Sequence, residues 1–156
     1  MAGHPQISPA TPIGIDLTGL AVNDQQGQSY NVVSLTGGGT FKVSSVLNIE
    51  GFLAAFFVGA ASTLPVTITY YYESLGGGPE GTLGAVTTTL GATHNTYPLP
   101  GGIVLEQYTD VTAYSTAVTS LMTPGVYEIT ARASVLGLFG PMNAFTSQSI
   151  MVEVIA

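Results

Sequence analysis

Apolar and polar residues alternate along most of this chain at the period of two that a half-buried strand requires. In PIGIDLTG, Ile13, Ile15 and Leu17 alternate with Gly14, Asp16 and Thr18. In TFKVSSVLNIEG, Phe41, Val43, Ser45, Leu47 and Ile49 share one face, and Lys42, Ser44, Val46, Asn48 and Glu50 share the other. PVTITYYYES turns Val66, Ile68, Tyr70 and Tyr72 inward and Thr67, Thr69, Tyr71 and Glu73 outward. Pro65 suits the first position of that strand, where a missing N–H does least harm. GGGPEG, residues 76–81, then breaks the pattern. Further β-rich segments follow at TLGAVTTTL, GIVLEQYTDVTAY, GVYEITARASVL and FTSQSIMVEVIA, punctuated by Gly and Pro.

No segment combines strong helix formers with a 3.6-residue apolar period, and only STAVTSLM, residues 115–122, has room for a short helical turn. GFLAAFFVGAA, residues 51–61, is about half the length of a membrane-spanning helix and lacks flanking Lys or Arg, so it predicts a buried strand. The pattern as a whole predicts an all-β antiparallel sandwich of about seven to nine strands. Pro5, Pro9 and Pro12 block regular pairing near the N-terminus, which predicts an extended arm over residues 1–12 and one sandwich domain over 13–156.

The stretch LMTPGVYEITARASV, residues 121–135, adds a more specific sign. Leu121, Pro124, Gly125 and Tyr127 stand just before an alternation that turns Tyr127, Ile129, Ala131, Ala133 and Val135 inward. This resembles the Leu…Pro-Gly-x-Tyr corner of immunoglobulin-like sandwiches, the Greek-key scaffold common in bacterial surface and appendage proteins. The resemblance covers the last forty or so residues, and the Cys and Trp hallmarks of antibody domains are missing. It implies a structural corner formed by Leu121, Gly125 and Tyr127, with the Tyr127 hydroxyl bonded back to backbone.

Charge narrows the range of partners. Lys42 and Arg132 are the only Lys or Arg residues against nine carboxylates, for a net charge of −7. Such a surface repels phosphate backbones and offers no basic cluster for anionic lipid, so neither nucleic acid nor membrane insertion is expected. Charged residues make up 7% of the chain, against a usual share of about a quarter, so Thr, Ser, Gly and Tyr must cover the surface. There are no cysteines, which rules out disulfides and thiolate chemistry. The first twenty residues have neither a basic region nor an uninterrupted apolar one, so they do not read as a secretory signal.

Candidate chemistry is sparse. His4 lies on the Pro-rich arm and His94 in the turn-like GATHNTYP, so both read as solvated loop histidines. No Ser or Thr sits in a nucleophile elbow, and no zinc-protease motif is present. Glu73, Glu80, Glu106 and Asp110 flank loops or strand ends, yet no spacing selects an acid/base pair, and they read as solubilising charges. NDQQGQS, residues 23–29, has one carboxylate, Asp24, and does not match a calcium loop. TGGGT and LGGGPEG lack the ending of a phosphate-binding loop and read as flexible turns. The expectation is a protein that is not an enzyme and needs no cofactor or metal.

With so few charges, the usual defence of β proteins against association is nearly absent. Outward rows such as Thr67, Thr69 and Tyr71, or Thr87, Thr88 and Thr89, are neutral and favour strands. The arm leads straight into the Ile13, Ile15 and Leu17 strand, a route for one subunit to donate a strand to the next. The expected role is a self-assembling structural subunit of an extracellular or cell-surface filament. Alternatives are a carbohydrate-binding or adhesion module, with glycan stacked on Tyr71 or Tyr97, and a virion or capsid decoration protein.

Overall fold

The computed structural model describes residues 12–23, 32–34, 41–59, 61–115, 123–137, 140–146 and 148–155, and within these the chain forms ten strands. The arm up to residue 11, His4, TGGGT, Leu121 and most of NDQQGQS and STAVTSLM lie outside the described residues. The strands are β1 (Gly14–Asn23), β2 (Val32–Ser34), β3 (Phe41–Gly51), β4 (Pro65–Ser74) and β5 (Glu80–Thr89). They continue as β6 (Asn95–Pro98), β7 (Val104–Ser115), β8 (Gly125–Gly137), β9 (Gly140–Phe145) and β10 (Ile150–Ile155).

Two sheets face each other. One has the order β1-β3-β7-β6, antiparallel throughout. The other has the order β2-β10-β8-β4-β5, with β2 parallel to β10 and every other pair antiparallel, and β9 joins it on β8. In chain order, β1, β3, β7 and β6 fall where strands A, B, E and D of an immunoglobulin sandwich lie, and β4, β8 and β10 where C, F and G lie. The fold is therefore an all-β, Ig-like sandwich, as the alternation predicts.

The alternating positions meet between the sheets. Leu17, Leu47, Ile49, Val66, Ile68, Tyr70, Tyr127 and Ile129 all have essentially no solvent exposure. Among the described residues, Ser44, Ser45 and Glu106 are the buried polar or charged side chains.

Two expectations are corrected. GFLAAFFVGAA is not a buried strand: β3 ends at Gly51 (φ +140°), and Ala54–Phe57 form a one-turn helix, α1. Ala54, Phe57 and Val58 are buried while Phe52 and Phe56 stay exposed, a 3.6-residue spacing that a short apolar run does not disclose in sequence. Thr88 is not part of an outward row, since it pairs with buried Val66 and is half-buried between exposed Thr87 and Thr89. The last β-rich segment holds β10, and Phe145 at its start is the last residue of β9. Between the two strands Thr146 accepts from the Ala131 amide through Oγ1 (3.1 Å) and donates its own amide to the Ala131 carbonyl (2.9 Å).

Candidate functional site

β1 forms because Leu17 and Val22 can be buried while Asp16 and Gly19 face water. It lies at an edge of its sheet, pairing with β3 from Gly14 opposite Glu50 to Asn23 opposite Lys42. The structure seats the predicted donor residues on their own sandwich: Leu17 is fully buried opposite Leu47, and Ile13 and Ile15 pack partly buried against the core. Leu17 also makes a parallel bridge to Thr146, at the break between β9 and β10. The chain enters β1 over Gly51, where an added Cβ would lie 2.4 Å from the Pro12 carbonyl oxygen. That carbonyl accepts from the Leu53 amide at 3.0 Å.

At the other end of the fold, Gly125 opens β8 and Tyr127 is fully buried. The Tyr127 hydroxyl donates to the Thr123 carbonyl at 2.7 Å and accepts from the Thr123 amide at 3.0 Å. Its ring meets that of Tyr72 edge-on, with centroids 5.9 Å apart.

The structure brings together a cluster that the sequence does not announce. Thr96 on β6 donates to the Glu106 carboxylate on β7, and His94 Nε2 lies 3.2 Å from the same oxygen. His94 Nδ1 lies 2.6 Å from the Ala92 carbonyl. His94 is therefore not a solvated loop residue, nor Glu106 a solubilising charge: their side chains are 15% and 3% exposed. Both ring nitrogens lie within hydrogen-bond distance of an oxygen, Nδ1 of the Ala92 carbonyl and Nε2 of the Glu106 carboxylate. Tyr108 stacks obliquely on His94 at 5.0 Å and donates to the Leu90 carbonyl. Burial first, and the Glu106 charge second, push the Tyr108 hydroxyl well above the usual tyrosine range. Both imidazole nitrogens are engaged, and the cluster ties β6 and the turn before it to β7.

The other named carboxylates do not join it. Glu73 pairs across strands with Glu80 on one side and Glu128 on the other, on the outer face of the second sheet. The Asp110 side chain lies outside the described residues. No group of three metal-ligating side chains occurs among the described residues. Tyr71, Glu73, Glu80, Thr82, Glu128 and Thr130 line a surface depression on this face, whereas exposed Tyr97 lies on β6 in the opposite sheet.

The same outer face carries Arg132, paired across strands with Thr69 and Phe145. Its guanidinium donates to Asn143 Oδ1 at 2.7 Å and sits 5.8 Å from the Phe145 ring centroid. Phe145 is 67% exposed and Met151, opposite Glu128, is 49% exposed. Their outward apolar positions break the polar-out rule for a solvated strand face, the one signal in the sequence that marks this region.

No helix among the described residues is long and apolar enough to cross a membrane. No family model and no curated protein matches the chain. Among solved structures it is similar to a bacterial adhesin from Mobiluncus mulieris containing disulfide, isopeptide and ester cross-links (11% identity, TM-score 0.47). That match covers 90% of this chain and spans 57% of the adhesin chain. It is also similar to AggA, the major subunit of aggregative adherence fimbriae type I from Escherichia coli, at 12% identity and a TM-score of 0.37, covering 92% of this chain and 94% of that one. The CooA pilin subunit of enterotoxigenic Escherichia coli matches at 9% identity and a TM-score of 0.35, covering 88% of this chain and 99% of that one. The Ig-like assignment rests on the strand order itself.

Proposed function

We propose that this chain is a structural subunit that assembles with copies of itself in an extracellular or cell-surface filament. Its sandwich, residues 13–156, follows an arm, residues 1–12, and strand β1 passes between neighbouring subunits. The observation that supports this most is the seating of β1. Among the described residues it pairs along one side only, apart from the single bridge at Thr146, yet it holds its place through the fully buried side chain of Leu17. A strand bound in this way can be replaced by the same strand of a neighbour without any change of contact, and a contact made head to tail propagates.

The test is electron microscopy with light scattering on the full chain and on a chain lacking residues 1–20. Filaments from the full chain and none from the shortened one are expected. Filaments that survive the deletion would overturn strand exchange, and a uniform monomer of 16.0 kDa from the full chain would overturn self-assembly.

One observation favours a second reading. Tyr71 lines the surface depression together with Glu73, Glu80 and Glu128, an aromatic residue beside carboxylate acceptors of the kind that holds sugar hydroxyls. Glycan-array signal lost in Tyr71→Ala would support it; an array without signal would remove it.

A further inference from the structure

The outer face of β8 and the strands beside it is symmetric in a way that neither strand exchange nor the buried cluster uses. Thr130 is its midpoint. Arg132 and Glu128 stand two residues to either side of Thr130 on β8, each about 6.6 Å away. Beside them, Phe145 on β9 is level with Arg132, and Met151 on β10 is level with Glu128. One step further out, Asn143 is level with Ser134, and Glu153 with Val126. Because β9 and β10 both run antiparallel to β8 and occupy the same side of it, they form one interrupted strand.

We infer that this face is a docking surface for a second copy of the chain, related to the first by a two-fold axis that lies across the strands over Thr130. Such an axis reverses the strand direction and leaves the cross-strand position unchanged. Arg132 of one copy then faces Glu128 of the other, and the reverse holds on the far side of the axis. Phe145 faces Met151 twice in the same way. Asn143 faces Glu153, a side-chain amide meeting a carboxylate.

The pairing of Arg132 with Glu128 across the axis identifies the occupant. Within its own chain Arg132 meets a neutral amide, Asn143, and the Phe145 ring but no carboxylate among the described residues, and about 13 Å of strand separates it from Glu128. Glu128 meanwhile stands level with Glu73 and Glu80, a row of like charges that is unfavourable without a cation opposite it. The guanidinium of a second copy supplies a cation at the Glu128 end of that row, and Glu128 supplies its carboxylate. The exposed apolar side chains level with them, Phe145 and Met151, cover one another in the same arrangement. Sheets packed face to face keep their strands within about 30° of each other, so pairs this close to the axis stay in register despite the twist. An isologous contact closes on itself, so it pairs two chains, or two filaments, rather than extending one. It does not depend on strand exchange.

The full chain contains no cysteine, which gives a direct test. Thr130→Cys places a thiol on the axis, where face-to-face sheets about 10 Å apart bring two copies within reach of a short bis-maleimide. Thr109→Cys, exposed on β7 in the other sheet, is the control. The expected result is a cross-linked band at twice the 16.0 kDa chain mass for Thr130→Cys and not for the control. Adding Arg132→Glu should lower the yield roughly tenfold, the scale of two surface ion pairs turned repulsive. Adding Glu128→Arg as well should restore it. Circular dichroism of each variant checks the fold, and if Arg132→Glu does not fold, Glu128→Arg alone should show the same loss. Equal cross-linking at both cysteines, no effect of Arg132→Glu, or no rescue by the double reversal would each overturn the proposal.

Discussion

The hydroxyls of Ser45 on β3 and Tyr70 on β4 lie 2.8 Å apart, joining the two sheets through the middle of the core. Tyr70 also donates to the Val111 carbonyl on β7, so the Ser45 hydroxyl is the donor in the first bond. These are the strand positions B, C and E, and the chain has no disulfide to join its sheets. A buried tyrosine whose one hydroxyl accepts from β3 and donates to β7 does that work here.

Tyr70→Phe leaves both the Ser45 hydroxyl and the Val111 carbonyl buried and short of a partner, which costs about 2–4 kcal/mol. Ser45→Ala keeps the bond to Val111 and costs about 1 kcal/mol. Urea unfolding of both variants checks the order. Equal losses would mean that the Ser45 bond, not the Val111 bond, carries the effect.

Removing His94 or Glu106 should also destabilise the fold. Glu106→Ala leaves the imidazole facing a vacated site, and His94→Ala leaves a buried carboxylate held by Thr96 alone. Either change is expected to destabilise by about 2 kcal/mol, the scale of a buried polar group left short of a hydrogen-bond partner. The double variant should cost less than the sum of the two singles, and a double-mutant cycle measures the difference. Strict additivity would show that the two side chains do not interact.

How far the sequence discloses these features depends on whether the cause is local. β3 and β4 are legible because every second residue faces one core, so Phe41 to Ile49 and Val66 to Tyr72 show the period directly. Ser45 on an inward face signals that a polar partner must stand opposite, but nothing local says that it is Tyr70. The His94–Glu106 pair is hidden for the same reason, since twelve positions separate the two and only the β6–β7 register brings them together. The α1 turn is hidden because four residues are too few to distinguish one period from another. The Arg132 and Glu128 relationship needs the β8–β9 and β8–β10 registers before its symmetry exists at all.

Tyr108 makes stability depend on alkaline pH. Its folded-state pKa lies above the unfolded value of about 10, so above that pH the unfolded chain releases a proton that the folded chain retains. The contribution is complete below pH ~10 and is lost as pH rises toward the folded value, with a slope approaching about 1.4 kcal/mol per pH unit. Tyr108→Phe removes this proton from both states. Unfolding curves between pH 9 and about 11 should therefore fall less steeply for the variant than for the parent chain, and parallel curves would contradict the assignment.

Gly51 sets how firmly β1 is held at its start. Its φ of +140° suits glycine, and a methyl group there would lie 2.4 Å from the Pro12 carbonyl oxygen and 2.8 Å from Ile13 Cα. Both neighbours are backbone, so Gly51→Ala must push the entry to β1 away from the end of β3, at a cost of about 1–3 kcal/mol. Leu17, fully buried farther along, does not sense the change directly and should keep the strand in register. Hydrogen exchange should then quicken at Ile13 to Asp16 while the amides of β4 and β8 keep their protection. If β1 passes between subunits, the same substitution should also speed the mixing of labelled and unlabelled subunits, because the strand leaves its own sandwich more often. Faster exchange at β1 with no change in mixing would separate a loosened edge strand from a donated one.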